Sequence, residues 1–224
     1  MTSGFLLIEE FFSCKIYFVG SVQRPKRCNG GAGMDKLKHR ILTEGVALGS
    51  DMINVDGFIN HRIDTSFMDE IGEEFARRFA GVKVDKILTV EASGIAIAVS
   101  AARYFGFCPV VFAKKAKPNT MNEGVYQAPC MSFTKQTLNE ITVAKKHLSE
   151  GGNILIIDDF LAHGEASKAL ASIVEMAGAH VAGIGIVISK DFQGGKKALE
   201  DMGYRVETLA SVAEMNDGDI RFAD

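Results

Sequence analysis

A chain of 224 residues with 47% hydrophobic and 24% charged residues, 23 Gly, 4 Pro and no Trp has the make-up of a globular domain, which excludes a disordered, collagen-like or coiled-coil protein. Its 25 basic and 28 acidic residues leave a formal charge of -3, the wrong balance for a protein that grips nucleic acid through phosphates. Cys14, Cys28, Cys108 and Cys130 follow neither zinc-site nor disulfide-framework spacing and read as free thiols of a cytoplasmic protein; the longest run without Asp, Glu, Lys or Arg, Met176 to Ser189, is too short and glycine-rich for a membrane span.

Residues 1–33 differ in character from the rest of the chain. An apolar part, Phe5 to Val19, is broken by Glu9, Glu10 and Lys15, then come Arg24-Pro25-Lys26-Arg27 and Gly30-Gly31-Ala32-Gly33. Glutamates inside the apolar part, with no basic residue before it, spoil a secretory signal. Met34 opens a helical pattern carried by Leu37, Ile41 and Leu42, so the domain is expected to occupy 34–224. Residues 1–33 read as an extension: a tag, a misassigned start or a poorly ordered leader.

A small N-terminal subdomain is expected to about Asp64. Asp64 caps an amphipathic helix whose face is Phe67, Met68, Ile71, Phe75 and Phe79, ending at Gly81. Next come an apolar strand, Ile87 to Val90, a turn at Ala92-Ser93-Gly94, a helix to Phe105 and a strand, Pro109 to Ala113. Lys114 to Gln136 is polar and interrupted and reads as a long functional connection, with an extended segment from Ile141 to Lys145 after it. The alternation resumes with the strand Ile154 to Ile157, a helix with Leu170, Ile173, Val174 and Ala177 on its apolar face and Gly178 as its stop, and the strand Val181 to Ile188. A short helix, Lys196 to Met202, and a last strand, Tyr204 to Leu209, complete the chain. Buried strands alternating with helices predict one α/β domain with a mostly parallel central sheet flanked by helices.

The chemistry is concentrated between Ile154 and Ala166. A buried strand delivers Asp158 and Asp159 at its C-terminal end, where open parallel sheets bind ligands, and a small-residue turn containing Gly164 opens a helix whose free N–H groups suit a phosphate. The carboxylates can meet ribose hydroxyls or, through water, a Mg²⁺ ion. Taken alone, an acidic pair at a strand end is more commonly a solvated loop or a helix cap.

The segment resembles the phosphoribosyl pyrophosphate (PRPP) motif of type I phosphoribosyltransferases. With Glu44-Gly45-Val46, Val55-Asp56, Phe58-Ile59-Asn60-His61, Glu91-Ala92-Ser93-Gly94-Ile95, Ser132-Phe133-Thr134-Lys135-Gln136 and Gly183-Ile184-Gly185-Ile186-Val187-Ile188, it is similar to the bacterial xanthine phosphoribosyltransferases from Met34 nearly to the C-terminus. The resemblance implies the type I fold with a small N-terminal hood, a cytoplasmic homodimer and purine salvage: transfer of the phosphoribosyl group of PRPP to xanthine, with Mg²⁺, giving xanthosine 5′-monophosphate and pyrophosphate. It implies that Ala162, His163, Gly164, Glu165 and Ala166 cradle the 5′-phosphate and that Asp158 and Asp159 face the ribose and, indirectly, the metal. Ser93 and Gly94, with Lys114 or Lys115, would hold pyrophosphate. Ile53, Asn60, Lys190 and Phe192 would meet the purine. In isolation Ser93-Gly94 is ordinary punctuation between strand and helix, Asn60 a turn former, Lys190 a surface lysine and Phe192 a packing residue.

Two departures bear on the chemistry. Glu165 brings negative charge beside a phosphate site and is expected to aim its side chain at solvent. Ala162 stands where hypoxanthine-guanine relatives carry a carboxylate, so another group, or the acidity of xanthine itself, must supply the deprotonated purine nitrogen. Guanine or hypoxanthine as the accepted base, and a PRPP-sensing regulator without catalysis, are the alternatives, the second opposed by the lack of a basic DNA-binding domain.

Overall fold

The computed structural model describes residues 32–115, 124–132, 137–216 and 219–223. Most of the N-terminal extension, Cys14, Cys28 and the parts 116–123 and 133–136 of the expected functional connection lie outside the described residues.

Helix α1 (Ala32–Glu44) buries Leu37 and Ile41 but leaves Leu42 56% exposed, a correction to the apolar face expected of it: adjacent positions on a helix point 100° apart, and Ile41 already occupies the inward one. A hairpin of β1 (Val46–Leu48) and β2 (Met52–Asn54) follows, then a π-helical turn, Asp56–Asn60, that buries Phe58 and Ile59. These residues share one apolar cluster with α2 (Thr65–Arg78), so the hood has no core of its own. Asp64 caps α2 as expected, its carboxylate accepting the Phe67 N–H at 3.1 Å.

The central sheet has six strands in the order β10 (Asp219–Phe222), β9 (Val206–Asn216), β8 (His180–Lys190), β7 (Asn153–Leu161), β3 (Lys86–Val90), β4 (Val110–Ala113). All neighbours are parallel except β9 and β10. Along β7, Leu155 and Ile157 join the cluster with α1, α2 and α3 (Ser93–Ala102), while Ile154 and Ile156 join the cluster under α4 (Glu165–Met176). The unbroken Ile-Leu-Ile-Ile run is thus the signature of a strand covered on both faces. Small residues set the layer spacing: a Cβ at Gly183 would lie 2.5 Å from the Phe79 ring, and one at Gly72 would lie 2.8 Å from the Ser100 backbone of α3.

Two stretches differ from the sequence expectation. Inside the supposed connection, β5 (Val125–Ser132) pairs antiparallel with β6 (Thr137–Ala144), from Val125 opposite Ala144 to Ser132 opposite Thr137. Tyr126, Ala128 and Cys130 turn toward the α4 cluster, an alternation of small and amphipathic residues too weak to stand out in a sequence. The strand expected to be the last, β9, runs past Leu209 to Asn216, and a further strand, β10, returns antiparallel to supply hydrogen-bond partners for its end. The short helix near 196–202 is α5 (Gly195–Asp201). Among the described residues no helix is long and apolar enough to cross a membrane.

Candidate active site

From β3 the chain passes through α3 to β4 on one side of the sheet; from β7 it passes through α4 to β8 on the other. The C-terminal ends of β3 and β7 are adjacent while their connections diverge, which opens a crevice at this switch point. A cleft of about 350 Å³ occupies it, lined by Val90 to Ser93, by Lys115, by Asp158 to Ser167 and, from the β5–β6 hairpin, by Cys130, Met131, Asn139 and Ile141.

Asp158 forms part of the cleft wall yet is only 4% exposed, and its Oδ1 accepts the Asp159 N–H at 3.0 Å. Burial, reinforced by the neighbouring Asp159 carboxylate, pushes its pKa well above the usual carboxylate range. The pair therefore favours a positive partner. Among the described residues no three His, Cys, Asp or Glu side chains gather into a metal cage. A hard divalent cation here would complete its shell with water and substrate oxygens, which is how Mg²⁺ binds through one or two carboxylates beside phosphates.

The turn after β7 rests on backbone. Gly164 has φ +83°, in the left-handed region, and α4 starts at the next residue, leaving the first-turn N–H groups of Glu165, Ala166 and Ser167 at the cleft. The Gly195 N–H donates to Ala162 O at 3.0 Å, and a Cβ at Gly195 would come within 2.3 Å of that oxygen, so the turn lies directly on the start of α5. His163 Nδ1 meets Gln193 O at 3.2 Å. Glu165 departs from its expected solvent-facing pose: it lies along its own helix with Oε1 3.0 Å from Lys168 Nζ. Ion pairing at i,i+3 blunts the acidic charge where a phosphate would otherwise meet it.

Across the cleft, the Glu91–Ala92 peptide is cis and Ser93-Gly94 opens α3. The Lys115 backbone N–H donates to Glu91 Oε1 at 2.6 Å and Lys115 lines the cleft. Lys114 does not line it; its main chain pairs both ways with Thr142, and its ammonium lies 6.0 Å from the Phe112 ring centroid.

The residues expected at the purine do not line this cleft. Ile53 is buried in the core, Asn60 is exposed at the end of the π-helical turn, and Phe192 is 41% exposed just after β8. Lys190, expected as an exposed donor, is half-buried, its pKa lowered by burial, and its Nζ donates to Asp51 O in the β1–β2 turn at 2.7 Å. It ties the hood to the sheet. Sequence patterns do not single out Thr89, Lys168, Gly195 or Asn139; the i,i+3 spacing of Glu165 and Lys168 is the one available signal.

A family model described as phosphoribosyl transferase domain matches residues 65–215. The chain is 50% identical over 191 residues to xanthine phosphoribosyltransferase of Ectopseudomonas mendocina, covering 85% of this chain and 100% of that protein. It is 52% identical over 189 residues to the Bacillus cytotoxicus protein of the same name, covering 84% and 95%. Among solved structures, adenine phosphoribosyltransferase of Rhodothermus marinus superposes with a TM-score of 0.66 at 18% identity over 81% of this chain and 99% of that one. The Thermoanaerobacter pseudethanolicus enzyme superposes with a TM-score of 0.59 at 26% identity over 66% and 82%.

Proposed function

The chain belongs to the xanthine phosphoribosyltransferase family, and from that premise we propose that it transfers the phosphoribosyl group of PRPP to xanthine, forming xanthosine 5′-monophosphate and pyrophosphate in purine salvage. The observation that carries this reading is the convergence, at one switch-point cleft, of an acidic pair whose first member, Asp158, is buried, a glycine-entered helix N-terminus and a second strand-to-helix turn beside Lys115.

The purine nitrogen, its proton already given up to solvent through the acidity of xanthine, attacks C1′ of PRPP with its lone pair while the C1′–O bond to pyrophosphate breaks and its electrons leave with that oxygen. Positive charge develops on the ribose ring, so catalysis consists of positioning and electrostatics. The first-turn N–H groups of α4 bind the 5′-phosphate with Ala162 to Ala166. Asp158 and Asp159 orient the ribose hydroxyls, while Ser93, Gly94 and Lys115 take the pyrophosphate. Asp158 and Asp159 would hold Mg²⁺ indirectly, through water or the ribose, where it would supply charge neutralisation for the leaving group. Lys190 donates to a purine oxygen after giving up Asp51 O, and Ile53, Asn60 and Phe192 close around the base.

The test is the full chain with Mg²⁺, PRPP and each of xanthine, guanine and hypoxanthine, alone and in competition. Xanthine is expected to give nucleotide fastest; no nucleotide from any base overturns the reading, and preference for another base corrects its substrate. Cytoplasmic location and pairing of two copies belong to the same reading. Light scattering checks the pairing, with the mass of a single chain overturning it.

A further inference from the structure

Thr89 lies in β3, completely buried, and its hydroxyl has no hydrogen-bond partner. A buried hydroxyl left this way opposes folding, and native interiors seldom tolerate one without a use for it. Its surroundings are specific. A Cβ placed on Gly94 would sit 2.1 Å from Thr89 Oγ1 and 3.1 Å from Asp158 Oδ1, so the hydroxyl and the carboxylate converge from neighbouring strands on one point beneath Gly94. Only a glycine can cover them. The hydroxyl is a donor without an acceptor, and the carboxylate oxygen that takes the Asp159 N–H at 3.0 Å has a second lone pair to offer. Both groups lie under the turn that faces the cleft.

We propose that Thr89 is a positioning residue for PRPP, its hydroxyl donating to the Asp158 carboxylate once the Ala92–Gly94 turn has settled on the bound substrate. The inference rests on PRPP as the ligand of the cleft. The hydroxyl then lacks a partner in the free protein and gains a charge-assisted one in the complex, so it strengthens ligand binding at the expense of the empty state. Side-chain shape is not what matters: valine fills the same volume without the donor, and serine keeps the donor with less volume.

The test compares wild type, Thr89→Val and Thr89→Ser in thermal melts without ligand and in calorimetric titration with PRPP and Mg²⁺. Thr89→Val is expected to melt at or above the wild-type temperature when empty, to bind PRPP about tenfold more weakly and to gain correspondingly less thermal stability from it. Thr89→Ser should retain most of the affinity even if it melts lower. The proposal is overturned if Thr89→Val binds PRPP as wild type does, if its empty form unfolds or melts markedly lower, or if Thr89→Ser loses as much affinity as Thr89→Val. Wild type that fails to bind PRPP would instead remove the functional reading on which the proposal stands.

Discussion

The two ends of the proposed substrate site are built on different physical terms. At the phosphate end, Asp158 to Ser167 are consecutive in sequence, and the strand, the turn and the helix start are fixed by sheet topology and by backbone contacts such as Gly195 N–H to Ala162 O. At the base end, Lys190 and Asp51 are 139 residues apart and spend a hydrogen bond on each other. The phosphate end is preorganised, and ligand meets donors already in place. On the proposed reading the base end exchanges an internal contact for one to the purine, so its affinity would be a difference between two hydrogen bonds.

This contrast is most severely tested at Asp158. Asp158→Asn, or the double replacement with Asp159→Asn, should lower kcat by about 10²- to 10³-fold, the effect of losing a central electrostatic group. The same change should stabilise the fold at neutral pH. A carboxyl whose pKa is raised by folding contributes stability below its unfolded value of about 4 and loses it as pH rises through the folded value. Asn at 158 escapes that loss, and Tm should rise by about 2–4 °C for each kcal/mol recovered. Melts at pH 4 and pH 7 check this: the gain must be larger at pH 7, and a variant that melts lower at pH 7 would mean that the buried carboxylate stabilises the protein instead.

At the base end, Lys190→Met should raise KM for xanthine about 10- to 100-fold, through loss of a charged donor, while KM for PRPP changes little. If both constants rise together, the two ends are coupled through the hood and the division fails. The smallest effect is expected at Lys168. Lys168→Ala leaves Glu165 unpaired beside the phosphate turn and should raise KM for PRPP about 2- to 5-fold, the range of a partly exposed ion pair. Added salt should shrink the difference. Equal KM values at low and high salt would show that Glu165 does not sense the phosphate.

Legibility in the sequence follows the same division. Asp64 with Phe67 to Phe79 announces α2, because a cap and a helical stripe are local properties; the segment proposed to bind PRPP is legible for the same reason, its strand, acids and turn being contiguous. The β5–β6 hairpin reads as connection because its inward residues Tyr126, Ala128 and Cys130 are small or amphipathic, and only pairing with Thr137 to Ala144 makes them a face. Lys114 and Lys115 are interchangeable as neighbours in a sequence. The isolated bridge from Lys114 to Thr142 commits the first to the hairpin and leaves the second at the cleft.

From the order of its residues alone, the chain specifies a parallel α/β sheet, the strand that ends in two acids and the glycine that admits a helix start, since each depends on neighbours within a few positions. Tertiary structure decided that Glu165 lies on Lys168, that Lys190 holds Asp51 and that Thr89 and Asp158 each lie close beneath Gly94. Those pairings depend on side-chain rotamers and on which strands lie side by side, and local periodicity carries no information about either.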